Sequence, residues 1–307
     1  MSKYPISREF YPYALIRPPM QSAKLASFMG SFLHPPGWLF CDPVIQADRF
    51  TFPGYGGDPV EALLIAPRGL DQEAPCLVYY HGGGFLFPAA GYHYKLAAEY
   101  AWSSRCRVLF VQYRLTPDHP FPIPAEDCYS AFCWAQEHAD LLGIDRTQIG
   151  VGGDSAGGAL AAAVCLMARD RGRALPLFQM LIYPATDRRM CSQSNRRFTD
   201  TPMWNSKLSE KMWPIYLTDP STPMLAYASP MEATDHSSLP PAYIETAEFD
   251  CLHDEGLDYA RALEQAGVSV EVRETQGTVH GYDIVLNAPT TRASVAARNA
   301  FLNSFFH

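Results

Sequence analysis

Ser155 stands in Gly153-Asp154-Ser155-Ala156-Gly157, a G-x-S-x-G pattern with an apolar run before it and a small-residue run after it. Gln148 to Gly152 reads as a short buried strand, and Ala156 to Ala168 (AGGALAAAVCLMA) as a tightly packed helix. A serine on so sharp a strand-to-helix turn is held above the sheet, within reach of a substrate. The glycines suit a turn in which a side chain would clash. The helix start places a positive dipole end beside any negative charge that develops there.

A serine hydroxyl is a weak nucleophile at neutral pH and needs a base, which in turn needs an orienting acid. On such a sheet these partners follow the serine in chain order, acid then histidine, each in a loop after a strand. Among nine histidines, His280 in Gly277-Thr278-Val279-His280-Gly281-Tyr282 lies between the last expected strand and the last helix. His253 falls at a helix start and His138 near a helix end, while His34, His93, His119, His236 and His307 have no partner pattern. A histidine base predicts that activity falls on acidification. For the acid, Asp250 lies just past the strand ending at Ala247, and Glu248 is its rival. Asp254 and Glu255 read as first-turn residues complementing a helix dipole. Acyl transfer also needs donors for an oxyanion. His81-Gly82-Gly83-Gly84-Phe85 follows an apolar strand, and three successive glycines let backbone amides face a ligand. With the Ala156 amide they would form an oxyanion hole. No G-K-[ST] follows the glycines, so a phosphate loop is not indicated.

The elements that must position these groups alternate. Eight strands are expected, over 47–52, 60–66, 76–80, 107–112, 149–153, 178–183, 242–247 and 268–274. Helices are expected over 92–103, 125–142, 156–171, 254–266 and 290–305. Continuous apolar strands separated by helices indicate an α/β fold, a mostly parallel sheet covered on both faces. Residues 1–43 and 187–222 break the alternation. The first stretch carries Phe10, Tyr11, Tyr13, Phe28, Phe32, Trp38 and Phe40, and the second Met190, Met203, Trp204, Met212, Trp213 and Tyr216. They are too aromatic for disorder, and the expectation is a cap over the strand ends, with 44–186 and 223–307 as the catalytic core of one domain.

A length of 307 residues with 48% hydrophobic content supports a full core, and the net charge of -8 offers no attraction to nucleic acid. The N-terminal MSKYPISREF lacks an apolar signal core, and the run from Ala156 is too short to span a bilayer. A cytoplasmic protein without membrane insertion is therefore expected. Eight cysteines are scattered without a C-x-x-C pair, so neither a zinc site nor a cofactor is expected. Val268 to Arg273 alternates as an edge strand does, which raises the expectation of a homodimer paired through that edge.

Together these residues resemble the hormone-sensitive-lipase-like family of α/β-hydrolases, in its bacterial carboxylesterase branch. His81-Gly82-Gly83-Gly84 matches the family's HGGG signature, and Gly153 to Gly158 its GDSAGG motif. Tyr113 to Pro122 is similar to YRLAPEHPFP, Asp250 to Gly256 to DPLRDEG, and His280-Gly281-Tyr282 to HGF. The resemblance covers residue 45 to the C-terminus. It implies a triad of Ser155, Asp250 and His280, an oxyanion hole from the amides of Gly82, Gly83 and Ala156, and a cap from the N-terminus and the mid-chain insertion. His81, Gly84 and Asp154 complete the motifs around those groups. Cys251, His253, Asp118 and Tyr282 depart from the pattern without removing a reacting group. The implied activity is hydrolysis of small-molecule esters with short to medium chains. A lipase, a lactone or amide hydrolase, and a non-catalytic receptor are the alternatives.

Overall fold

The computed structural model describes residues 3–13, 35–70 and 73–307. Its eight strands are β1 (Ile45–Pro53), β2 (Pro59–Pro67), β3 (Ala74–Tyr80), β4 (Arg107–Gln112), β5 (Ile144–Asp154), β6 (Gln179–Ile182), β7 (Ala242–Phe249) and β8 (Val270–Val279). They form one sheet in the order β1-β2-β4-β3-β5-β6-β7-β8. β2 pairs antiparallel with both β1 and β4, and every other pairing is parallel. The longer helices are α1 (Gly91–Ser103), α2 (Ile123–Glu137), α3 (Ala156–Asp170), α4 (Ser206–Tyr216), α5 (His253–Gln265) and α6 (Pro289–Phe306).

Neighbouring residues on a strand point to opposite faces, and β3 shows what covers each face. The Tyr79 ring meets Tyr100 of α1, while the Tyr80 hydroxyl donates to the Cys128 carbonyl of α2. All seven residues of β3 are buried, so the strand carries no polar face, as a doubly covered parallel strand should not.

Three elements differ from expectation. β5 begins at Ile144 rather than 149, because the polar run Asp145–Gln148 hides a strand that pairs Ile144 with Ala74 across a register shift. β8 runs on to Val279, since Thr275 and Val279 still pair with β7 across another irregularity. The helix expected over 125–142 is two, broken at His138 before the short helix Ala139–Leu142.

Between β6 and β7 the chain forms the short helix Gln193–Arg197, then α4, then two further short turns, Leu225–Ala228 and Pro230–Glu232. The N-terminal residues meet this insertion. Tyr4 packs edge-on against Phe198 with its hydroxyl donating to Asp200, and Lys3 pairs with the same carboxylate. Phe10 packs on Tyr282. Phe28, Phe32 and His34 lie outside the described residues. β8 forms one outer edge of the sheet, with Val272 exposed.

Candidate active site

β3, β5, β6, β7 and β8 run parallel, so their carboxyl ends meet along one rim, where a ligand of an open α/β sheet binds. His81, Ser155, Tyr183, Asp250 and His280 each directly follow one of these strands.

Ser155 occupies φ 54° and ψ −118°, a backbone region that costs a non-glycine residue on the order of 1–3 kcal/mol. The end of β6 holds it there. Its amide donates to the Ile182 carbonyl at 2.8 Å, and its carbonyl accepts from the Ala185 amide at 3.2 Å. The turn is tight enough that a Cβ on Gly157 would overlap the Tyr80 carbonyl. α3 starts at Ala156, so the serine sits at its N-terminus.

His280 Nε2 lies 2.8 Å from Ser155 Oγ, and His280 Nδ1 lies 2.7 Å from Asp250 Oδ2. Asp250 is fully buried, and its second oxygen accepts the Leu252 amide at 3.0 Å. Ser155, His280 and Asp250 are thus one hydrogen-bonded chain. Glu248 turns elsewhere and accepts the Gly277 amide at 2.7 Å, at the bend in β8. Asp254 and Glu255 do more than face a helix dipole. Asp254 accepts the Ser194 amide, and Glu255 accepts the Asp187 amide, so both hold backbone of the insertion.

The glycine loop departs from expectation at one position. The Gly82 amide donates to Asp154 Oδ1 at 2.9 Å and is thereby already engaged. Gly83 and Gly84 line the cavity with Ser155. Gly84 has φ +60°, and a Cβ there would stand 2.7 Å from Trp204 Cη2. Asp154 sets this arrangement. Besides Gly82 it accepts the Tyr79 hydroxyl at 2.8 Å, and it meets His93 Nε2 at 3.2 Å.

Burial opposes the charge on Asp154, but the charge and hydrogen bond of His93, with the Tyr79 hydroxyl, outweigh it and hold the carboxyl down at about 2. Burial, aided by nearby His93, pushes the His81 imidazole down to about 4, against the pull of the Gly82 carbonyl and Asp154. Below pH 6.5 the unfolded chain protonates His81 while the folded chain does not. Stability therefore falls as pH drops from about 6.5 to about 4, by about 3 kcal/mol from this group. Asp154 has the depressed-carboxylate sign: its contribution is present above about pH 4 and is lost as pH falls towards 2. Urea midpoints at pH 7 and pH 4.5 should differ more in the native chain than in His81→Asn. Equal differences would remove His81 as a source of acid sensitivity.

The cavity at Ser155 is small, about 110 Å³, with Phe87, Tyr92, Tyr183, Met203 and Trp204 among its walls. Larger grooves of about 670 Å³, between α1 and α6, and about 500 Å³, on the insertion, contain none of the three linked residues. Tyr183, Met203 and Trp204 were not singled out as pocket residues by sequence. Tyr183 closes a strand like any buried aromatic, and only the aromatic richness of the insertion signalled the other two.

The family profile described as an alpha/beta hydrolase fold matches residues 77–284. The esterase LipI of Mycobacterium tuberculosis is 39% identical over 246 residues, which is 78% of this chain and 76% of that protein. The carboxylesterase NlhH of the same organism is 35% identical over 271 residues, 86% and 84% of the two chains. Among solved structures, a bacterial heroin esterase superposes with a TM-score of 0.81 at 36% identity, over 92% of this chain and 89% of its own. A thermostable esterase from Pseudomonas putida superposes with a TM-score of 0.88 at 27% identity, over 98% of each chain. With the family profile spanning two thirds of its length and esterases of similar sequence on either side of the 35% mark, this chain belongs to the hormone-sensitive-lipase-like α/β-hydrolases and is a carboxylesterase.

Proposed function

We propose that the chain cleaves short- to medium-chain esters through an acyl-enzyme on Ser155, with His280 as base and Asp250 as its orienting acid. The observation that carries this reading is His280, bonded through one ring nitrogen to Ser155 and through the other to Asp250. Asp250 fixes the tautomer with the proton on Nδ1, which leaves Nε2 free to accept from the serine. As Oγ attacks the ester carbonyl, its proton passes to Nε2. The negative charge gathers on the former carbonyl oxygen, where the amides of Gly83, Gly84 and Ala156 and the start of α3 stabilise it. The imidazolium then gives its proton to the departing alkoxide, and the alcohol leaves. Water, deprotonated by His280 in the same way, releases the acid and restores Ser155.

In this reading the insertion after β6 and the N-terminal segment form the cap, and the strand-and-helix body is the catalytic core. The contacts of Tyr4 with Phe198 and Asp200 support joining the two segments into one layer. A fluorophosphonate that mimics an activated ester tests the nucleophile. We expect one adduct per chain, located by peptide mass spectrometry on Ser155. An adduct at any other residue, or none, overturns the assignment.

A further inference from the structure

We propose that Trp204 is the wall that sets the size of the substrate group admitted beside Ser155, limiting it to a neutral chain of a few carbons. This deepens the esterase reading above and rests on it. A void of about 150 Å³ holds a benzene ring. The cavity at Ser155, about 110 Å³, is smaller than that, so a long chain does not fit within it and must extend past its walls.

Part of its boundary belongs to the reacting groups or to the body of the sheet. Ser155, His280, Gly83 and Gly84 are the reacting groups and backbone. Tyr183 is anchored behind the cavity, its hydroxyl donating to Asp283 at 2.6 Å, and Asp283 is paired with the buried Arg298 at 2.9 Å. Trp204 is different. It comes from the insertion, and its six-membered ring packs so close to Gly84 that a Cβ there would stand 2.7 Å from Cη2. It is also held in place. The indole Nε1 donates to Ser209 Oγ at 2.9 Å, the carbonyl accepts from Thr201 Oγ1 at 2.8 Å, and the amide donates to the Pro202 carbonyl at 2.8 Å. Ser209 is itself fully buried on α4. A side chain locked at both ring and backbone does not swing aside for a longer substrate, so the boundary is fixed rather than adaptive.

The charge preference follows from the same lining. Asp154 is the one charged carboxylate among the cavity residues, and its oxygens are taken by Gly82, Tyr79 and His93. No cationic side chain lines the cavity among the described residues, so an anionic chain finds no counter-charge there.

The test is a chain-length ratio measured in the full chain. Two series are used, p-nitrophenyl esters from acetate to octanoate, and acetates of alcohols from ethanol to octanol. For each protein kcat/KM of the eight-carbon member is divided by that of the two-carbon member, so overall losses of activity cancel. Trp204→Ala is expected to raise this ratio at least about tenfold in one series, the scale on which pocket size discriminates. The series that responds identifies the acyl or the alcohol side as the one Trp204 faces. Trp204→Leu, which keeps an apolar filler, should give a smaller rise in the same series and carries the test if the alanine variant does not fold. Ratios unchanged within twofold in both series overturn the proposal while the esterase reading stands. A native chain that turns over no ester and takes no label at Ser155 overturns the esterase reading instead.

Discussion

Ser155→Ala is expected to lower kcat for a short-chain aryl ester by a factor of about 10⁴–10⁶, with little change in KM. The size follows from what the variant removes. Without Oγ there is no acyl-enzyme, and the linked His280 and Asp250 have no proton to move. What survives is the oxyanion donors and binding, which by themselves retain about 10³–10⁴ over water in enzymes of this kind. His280→Ala should cost a comparable factor, and the Ser155→Ala/His280→Ala double variant should cost no more than the worse single one, because the residues act as a unit. Asp250→Asn should lose about 10⁴, as the asparagine favours the wrong imidazole tautomer. The decisive control is the fold. Ser155 is held by backbone bonds to Ile182 and Ala185, which an alanine keeps, so the unfolding midpoint should move little. Turnover within tenfold of the native chain would remove Ser155 as nucleophile.

The features that made this site legible in sequence are local. The turn that holds Ser155 needs glycine where backbone crowds it, and the sequence supplies Gly153 and Gly157 within two residues on either side. His280 and Asp250 sit in loops directly after strands, and β3, β4 and β6 are apolar enough to be seen without a partner. What stayed hidden depends on contacts across the chain. The Gly82 amide is engaged by the buried carboxylate of Asp154, 72 residues away. His93 showed no partner pattern because its partner, again Asp154, lies 61 residues on. The start of β5 escaped notice since Asp145, Arg146 and Thr147 read as loop, and ahead of the register shift only Ile144 pairs with β3, opposite Ala74. Trp204 is invisible as a pocket wall for the same reason: no spacing within the insertion says that its ring meets Gly84.

Arg298 is the most consequential of these hidden residues, and Arg298→Met is expected to destabilise the fold by about 3–5 kcal/mol. On α6 it reads as an ordinary helix arginine, yet its side chain has no exposure at all. Its guanidinium reaches Glu245 Oε1 at 2.5 Å, Asp283 Oδ2 at 2.9 Å and the Tyr100 hydroxyl at 2.9 Å. One cation thus faces two buried carboxylates, and they do not share it equally. Burial raises both carboxyls, but at Glu245 the charge and hydrogen bonds of Arg298 outweigh burial and lower it, whereas Asp283 remains raised. Methionine fills much of the space but leaves Glu245 charged and unpaired, or forces it to take up a proton. Either outcome is expensive beside a total stability of about 5–15 kcal/mol. The loss should also reach the active site. Asp283 accepts the Tyr183 hydroxyl, and the Tyr183 ring stands edge-on to His280 at 4.8 Å. Urea unfolding at pH 7 measures the stability, and kcat of the folded fraction measures the relay to His280. Glu245→Gln made together with Arg298→Met should cost clearly less than the sum of the two single variants, because the double variant no longer leaves Glu245 without its cation, and only Asp283, already raised by burial, has lost its partner. An Arg298→Met penalty below about 1 kcal/mol, or strict additivity with Glu245→Gln, would mean that the network contributes packing alone.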